Sequence, residues 1–248
     1  MITHFYTSPE KIGKESLTIE GEEARHILSV LRHGSGDVID VVDGRGTKYK
    51  VEIEEISRDF LEGKILSRTY RENEPDCRLT LAQAVCKQEK MDFLIEKATE
   101  IGVSSIIPIL TERSLVRVSG TLRRKTKIDR WRRLAIAAMK QSLRTVLPEI
   151  DEIIEFEELL VRSKDFDLCL IATLDEESRN LGECTQLKQG LKKVLLIVGP
   201  EAGFTHDELS AAKSQGAVPV SLGPRRLRTE TAGIIFSSLV LHRLDDLG

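Results

Sequence analysis

Arg225, Arg226 and Arg228 crowd three guanidinium groups into four positions after Gly223-Pro224, and Thr229-Glu230-Thr231 follows at the start of an apolar helix. Like charges held that close on a loop call for an anionic or polar partner, such as a phosphate or a negative charge developing in a reaction. Upstream, Gly199-Pro-Glu-Ala-Gly-Phe204 keeps a single charge, Glu201, in a glycine-flanked turn. Gly199 and Gly203 allow backbone angles or a ligand approach that a Cβ would block, and Pro200 ends any strand that leads into them. The two stretches together read as a pocket of close backbone approach with one carboxylate and a cluster of cations.

Neither stretch is a nucleotide-phosphate loop. A P-loop needs Gly-x-x-x-x-Gly-Lys-[Ser/Thr] and a dinucleotide fold needs Gly-x-Gly-x-x-Gly between strand and helix, and neither pattern occurs at these positions. Gly44-Arg45-Gly46 is followed by the alternation Tyr49, Val51, Ile53, so Asp43-Gly44 reads as a hairpin turn.

Three short apolar runs must carry these loops. Residues 194–198 form a nearly continuous apolar run, as in a strand buried on both faces, and lead into the glycine-proline turn. Thr205 and Glu208 then have the Thr-x-x-Glu spacing of a capping box, which opens a helix that ends near Gly216. A second run at 220–222 leads into Gly223-Pro224, and a third at 168–172 brings Thr173-Leu174 to the same edge. Loops at the C-terminal edge of a parallel sheet are where open α/β sheets bind small molecules.

Gly-Pro-Glu-Ala-Gly-Phe (199–204) together with Leu-Gly-Pro-Arg-Arg-Leu-Arg-Thr-Glu-Thr-Ala (222–232) resembles the paired signature of the RsmE family. These are the 16S rRNA (uracil-N3) methyltransferases of the SPOUT superfamily. The resemblance extends to Met-Asp-Phe-Leu-Ile-Glu-Lys-Ala-Thr-Glu-Ile-Gly-Val (91–103), to the Gln141-Ser142-x-Arg144 block and to His26-x-x-x-Val30-Leu31-Arg32. It implies an α/β, SPOUT-type trefoil-knotted parallel sheet with helices on both faces, preceded by a small PUA-like β-barrel. It also implies S-adenosylmethionine as methyl donor, 16S rRNA of the small ribosomal subunit as substrate, and a homodimer. The donor would be held by Thr173, Leu174, Gly199, Glu201, Gly203, Leu222, Gly223, Leu227, Arg228 and Thr231, with Glu201 and Arg228 as the catalytic pair. Glu201 would shape the donor pocket or help accept the N3 proton, and Arg228 would stabilise charge on the uracil oxygens or grip a phosphate. Two positions depart from the family: Ala202 stands where glycine is usual and Arg226 where isoleucine is common. Arginine is usual just before the first aromatic pair, where this chain has Ile2, Thr3 and His4.

The chain has 248 residues, 40% of them hydrophobic and 31% charged, with a formal net charge of −3. That balance excludes a uniformly basic nucleic-acid coat, so RNA contacts must use local patches. No apolar run approaches the roughly 18 residues of a membrane span, and no basic-then-apolar signal segment opens the chain. The expectation is a cytoplasmic protein with no membrane partner. Cys77, Cys86, Cys169 and Cys184 contain no Cys-x-x-Cys pair, which implies neither a metal site nor a disulfide framework.

Texture changes along the chain suggest a β-rich RNA-binding module at 1–72, a linker at 73–77 and the methyltransferase domain at 78–248. In the first, a helix at 22–31 would place Ile27, Val30 and Leu31 on one face and leave Arg25 and Arg32 for phosphates. The stretch 116–133 is the most basic; Arg117, Arg123, Arg124 and Lys125 would contact RNA from a loop before a helix at 127–143, with Arg144 beyond it. The same basic run also fits a solvated face. Two other functions fit these features: a non-catalytic RNA-binding ribosome-assembly factor, and a SPOUT methyltransferase acting on tRNA.

Overall fold

The computed structural model describes residues 4–57, 59–116, 118, 120–175 and 178–247. They form two compact units, Met1–Glu74 with Ile136–Leu147, and Pro75–Ala135 with Pro148–Gly248.

The first unit is built on a five-stranded sheet. Its strands are β1 (Phe5–Tyr6), β2 (Ser16–Glu20), β3 (Val38–Val42), β4 (Thr47–Ile56) and β5 (Phe60–Tyr70), in the order β1-β3-β4-β5-β2. All pairs are antiparallel except β1 with β3. Alternate side chains such as Val51 and Ile53 of β4 bury against Leu17, Ile19, Ile39 and Leu61, which is the period-two pattern of strands with one solvated face. The helix expected at 22–31 is interrupted: α1 (Gly21–Arg25) continues as a π-helical turn at His26–Val30. The wider turn keeps Ile27 in the core but rotates Val30 and Leu31 outward, where they are 64% and 42% exposed.

Residues 136–147 are tied to this unit by several bonds, among them Lys140 Nζ to Glu23, Gly46 N–H to the Thr145 carbonyl and Leu147 N–H to the Gly44 carbonyl, and by a buried ion pair. Arg144 Nη2 lies 2.7 Å from Glu74 Oε2, with both side chains almost fully buried. Glu74 Oε1 also accepts the backbone N–H groups of Thr145 and Val146 at 2.7 and 2.8 Å. Taking a carboxylate out of water is costly unless its oxygens find donors inside the protein, as both do here.

The second unit is a parallel sheet with the order β11-β13-β10-β12-β6-β7-β8. Its strands are β6 (Arg78–Ala84), β7 (Ser105–Leu110), β8 (Glu149–Ile150), β9 (Ile154–Glu155), which pairs with β7, β10 (Leu168–Ala172), β11 (Arg179–Asn180), β12 (Lys193–Val198) and β13 (Val218–Ser221). The helices are α2 (Gln88–Ile101), α3 (Thr121–Gln141), of which the residues up to Ala135 belong to this unit, α4 (Phe156–Arg162), α5 (His206–Ser214) and α6 (Thr229–Arg243). From Val194 to Val198 every residue of β12 is buried, as expected of a central parallel strand covered on both faces. Helix α2 stops at Gly102, whose φ of 116° is a left-handed cap open to glycine. Helix α3 begins six residues before the sequence expectation, so Arg123, Arg124 and Lys125 stand on its first turns and not on a loop.

The strand order decides where the site falls. β10 lies between β13 and β12 in parallel register, so the segments that leave these three strands emerge side by side.

Candidate active site

The three segments after β10, β12 and β13 enclose a cavity of about 490 Å³. Thr173, Leu174, Gly199, Glu201, Gly203, Leu222, Gly223 and Leu227, all named from sequence, line it. That volume lies within the roughly 300–1,000 Å³ of small-molecule sites. Gly203 and Gly223 line it with φ of 70° and 109°, and a Cβ on either would point into open space. The backbone is thus exposed to whatever occupies the cavity. Two sequence-named residues are not in the lining. Arg228 is exposed at the N-cap of α6, between the lining residues Leu227 and Thr229, and Thr231 is half-buried in the first turn of that helix.

The glycine-rich segment 199–204 is held from four other elements. Thr229 Oγ1 donates to the carbonyl of Gly199 at 2.6 Å and accepts from Gln83 Nε2 of β6 at 2.8 Å. Arg226 Nη2 donates to the carbonyl of Glu201 at 2.7 Å. Arg113, from the segment after β7, donates through Nη1 to the carbonyls of Phe204 at 3.0 Å and Ala202 at 3.3 Å. Lys90 Nζ, in the first turn of α2, bonds Glu201 Oε1 at 2.8 Å and lies 3.4 Å from Glu230 Oε2. A loop whose carbonyls already have donors does not need to reorganise when a ligand arrives.

Thr205 and Glu208 form the capping box anticipated at the start of α5: Thr205 N–H donates to Glu208 Oε2 at 2.8 Å and Glu208 N–H to Thr205 Oγ1 at 3.2 Å. The other carboxylate oxygen of Glu208 accepts the Glu112 N–H at 2.8 Å, which fixes the segment that carries Arg113.

Electrostatics set the character of Glu201. Burial pushes its carboxyl up, but the hydrogen bond from Lys90, a backbone bond and the charges of Lys90 and Lys87 outweigh it and hold the group below the ordinary carboxylate range. The hydrogen bond to Glu201 raises the Lys90 ammonium in turn. At neutral pH the two form an ion pair. Cys86 belongs to the same neighbourhood; burial, then the charges of Glu201 and Glu230, push its thiol up to about 12. It stays protonated and is no nucleophile.

Thr229, Arg113, Gln83 and Lys90 are the site residues that sequence reasoning missed. Thr229 stands inside the Arg-Thr-Glu-Thr motif, and its threonine at the head of a helix was a legible signal. Gln83 was legible only as a polar residue in an apolar strand. Nothing local marks Arg113 or Lys90, whose partners are 91 and 111 residues away.

The basic residues named for RNA divide by unit. In the first unit Arg25 is exposed, with Nε 3.6 Å from Asp59, and Arg32 is exposed with φ of 60°. Arg144 is locked in the buried pair with Glu74, which leaves it an internal anchor and not an open phosphate ligand. In the second unit Arg123 and Lys125 are exposed, while Arg124 donates to the carbonyls of Val118 at 3.0 Å and Ile153 at 2.8 Å. Arg117 lies outside the described residues. Among the described residues no group of three or more His, Cys, Asp or Glu side chains could hold a metal ion, and no helix is long and apolar enough to cross a membrane.

Residues 72–241 match the RNA methyltransferase domain family and residues 19–66 the RNA methyltransferase PUA domain family. The chain is 32% identical over 237 residues to ribosomal RNA small subunit methyltransferase E of Bacillus subtilis, covering 93% of this chain and 91% of that protein. Its counterpart of the same name in Synechocystis is 30% identical over 233 residues, or 94% of this chain and 75% of the relative. Among solved structures, ribosomal RNA small subunit methyltransferase E of Neisseria gonorrhoeae bound to S-adenosyl methionine superposes with a TM-score of 0.86 at 29% identity, covering 98% of each chain.

Proposed function

The chain belongs to the ribosomal RNA small subunit methyltransferase E family, and from that premise we propose that it methylates N3 of a specific uridine in 16S rRNA with S-adenosylmethionine as donor. The observation that carries the reading is the meeting of the segments after β10, β12 and β13 around a 490 Å³ cavity with exposed glycine backbone. The fit to the donor is chemical as well as spatial. The donor joins a nucleoside to an amino-acid part, and this cavity offers exposed backbone, apolar groups such as Leu174, Leu222 and Leu227, and the charged side chains of Arg113, Arg225 and Arg226.

When bound, S-adenosylmethionine supplies a methyl group activated by its sulfonium. In the transfer a bond forms between the uracil N3 and that methyl carbon as the sulfur–carbon bond breaks, and the N3 proton leaves to a base or to water. The protein's share is to hold nitrogen, carbon and sulfur in line, which by itself supplies a large part of such a rate. Glu201, ionised and paired with Lys90, is a weak base, so its role is to shape the donor segment. Arg228, exposed beside Leu227 and with no carboxylate partner among the described residues, serves the negative charge on the uracil oxygens or an adjacent phosphate.

On this reading residues 1–72 act as the PUA-like RNA-binding module, 73–77 as linker and 78–248 as the methyltransferase domain. Arg25, Arg32, Arg123 and Lys125 supply phosphate contacts. The substrate is the assembled small subunit in the cytoplasm, and the working form is a homodimer. Support for the dimer comes from α6, where the apolar side chains of Ile235 and Leu239, one turn apart, are 39% and 40% exposed.

The test is to incubate the protein with labelled S-adenosylmethionine and small ribosomal subunits from cells lacking the gene, then identify the methylated nucleoside by mass spectrometry. 3-Methyluridine at one rRNA position is the expected product. A folded protein that transfers no methyl to subunits, naked rRNA or tRNA would overturn the reading.

A further inference from the structure

The cavity is lined by two carboxylates, Asp175 and Glu201, and each already has a lysine: Lys213 at 2.9 Å and Lys90 at 2.8 Å. It is also lined by three arginines, Arg113, Arg225 and Arg226, and none has a carboxylate within ion-pair distance among the described residues. The lining therefore presents uncompensated positive charge, and a complementary ligand must bring an anionic group.

The three arginines are not equivalent. Arg113 has its Nη1 shared between the carbonyls of Ala202 and Phe204. Arg225 is exposed and makes no hydrogen bond among the described residues, so fixing it on a ligand would cost side-chain entropy. Arg226 is exposed as well, but it has a tether that Arg225 lacks. One of its five N–H groups is engaged, with Nη2 on the carbonyl of Glu201 at 2.7 Å, and this pins the guanidinium in place across the two segments that wall the cavity. A planar fork that is already immobilised and still has free N–H groups is preorganised for two-pronged binding of a carboxylate.

We propose that Arg226 binds the carboxylate of the donor's amino-acid moiety, and so makes this cavity selective for donors and products that carry the complete methionine or homocysteine part. The proposal rests on the reading of the cavity as the donor site. Because Arg226 reaches the ligand from the segment after β13 while bonded to the segment after β12, it also joins the two walls once the ligand is in place.

The experiment is titration calorimetry of the full chain with two ligands. S-Adenosylhomocysteine has the carboxylate; 5′-methylthioadenosine has the same nucleoside and thioether without the amino-acid part. Arg226→Ile should lose about tenfold more affinity for S-adenosylhomocysteine than for methylthioadenosine, the order expected for one charge-assisted pair, any smaller loss common to both ligands being that of the bond to the Glu201 carbonyl. Arg226→Lys, which retains the charge without the fork, should fall between. Retained methylthioadenosine binding shows at the same time that the variant is folded and its cavity intact. Unchanged S-adenosylhomocysteine binding in Arg226→Ile would overturn the proposal, as would an equal loss for both ligands, which would make Arg226 only a tie between segments. A wild-type protein that binds neither compound would instead overturn the donor-site reading itself, and this inference with it.

Discussion

Thr229 Oγ1 donates a 2.6 Å hydrogen bond to the carbonyl of Gly199, 30 residues before it in the chain. With Gln83 Nε2 donating to the same hydroxyl, one side chain joins β6, the glycine-rich segment and the first turn of α6.

Thr229→Val preserves the shape of that side chain but leaves the half-buried Gly199 carbonyl without this donor and the buried Gln83 amide with only its 3.4 Å bond to the Ala84 carbonyl. It should cost about 1–3 kcal/mol, the penalty of unsatisfied buried polar groups, and weaken donor binding. Thr229→Ser should keep most of both. Urea denaturation of the three proteins, with S-adenosylhomocysteine titrations alongside, checks this; equal stability of the valine and serine forms would refute it.

Glu201 sits below its ordinary value of 4.5 because the bond from Lys90 and the other favourable interactions outweigh the upward push of burial. A depressed carboxyl contributes stability that is present above the ordinary value and fades as pH falls through the lowered native value. Lys90→Met removes the largest opposing interaction, so the carboxyl titrates at higher pH and donor binding is lost on acidification earlier than in the wild type. Carboxyl-carbon NMR titration of Glu201, paired with donor affinity against pH, reads both shifts.

The buried pair of Arg144 and Glu74 makes a prediction opposite to the one its arginine suggested in sequence. Arg144→Met strands a buried carboxylate and should destabilise the first unit by about 3–5 kcal/mol, without a selective effect on RNA affinity under conditions where the variant remains folded. Denaturant midpoints and binding isotherms at low denaturant separate the two effects.

Arg123 and Lys125 are exposed on α3, whereas Arg124 is bonded to the carbonyls of Val118 and Ile153. If the first two neutralise phosphates, Arg123→Gln with Lys125→Gln should flatten the plot of log affinity against log salt by about 0.7–0.9 for each phosphate left without its cation. Arg124→Gln should mainly lower stability. An unchanged salt slope in the double variant would remove this surface from the RNA interface.

What was legible in the sequence was local. The all-apolar run 194–198, the Thr205–Glu208 box and the two glycine-bearing loops announce themselves because strand burial, helix capping and positive φ are each decided by neighbours a few residues apart. Those signals carried the family resemblance and eight of the residues that line the cavity. The departures from expectation are local too, but of another kind: whether α3 begins at residue 121 or 127, and whether 26–30 winds as an α or a π turn, depends on small differences that periodicity does not resolve. Tertiary structure alone decided which charges are free. Arg144 and Arg225 look alike in sequence, yet one is buried on Glu74 and the other is open to solvent at the cavity. Likewise, β10 between β12 and β13 is what brings Arg226 to Glu201 and Thr229 to Gly199. Partner choice across a sheet follows strand order, and strand order is set by burial of the whole core, which no window of sequence contains.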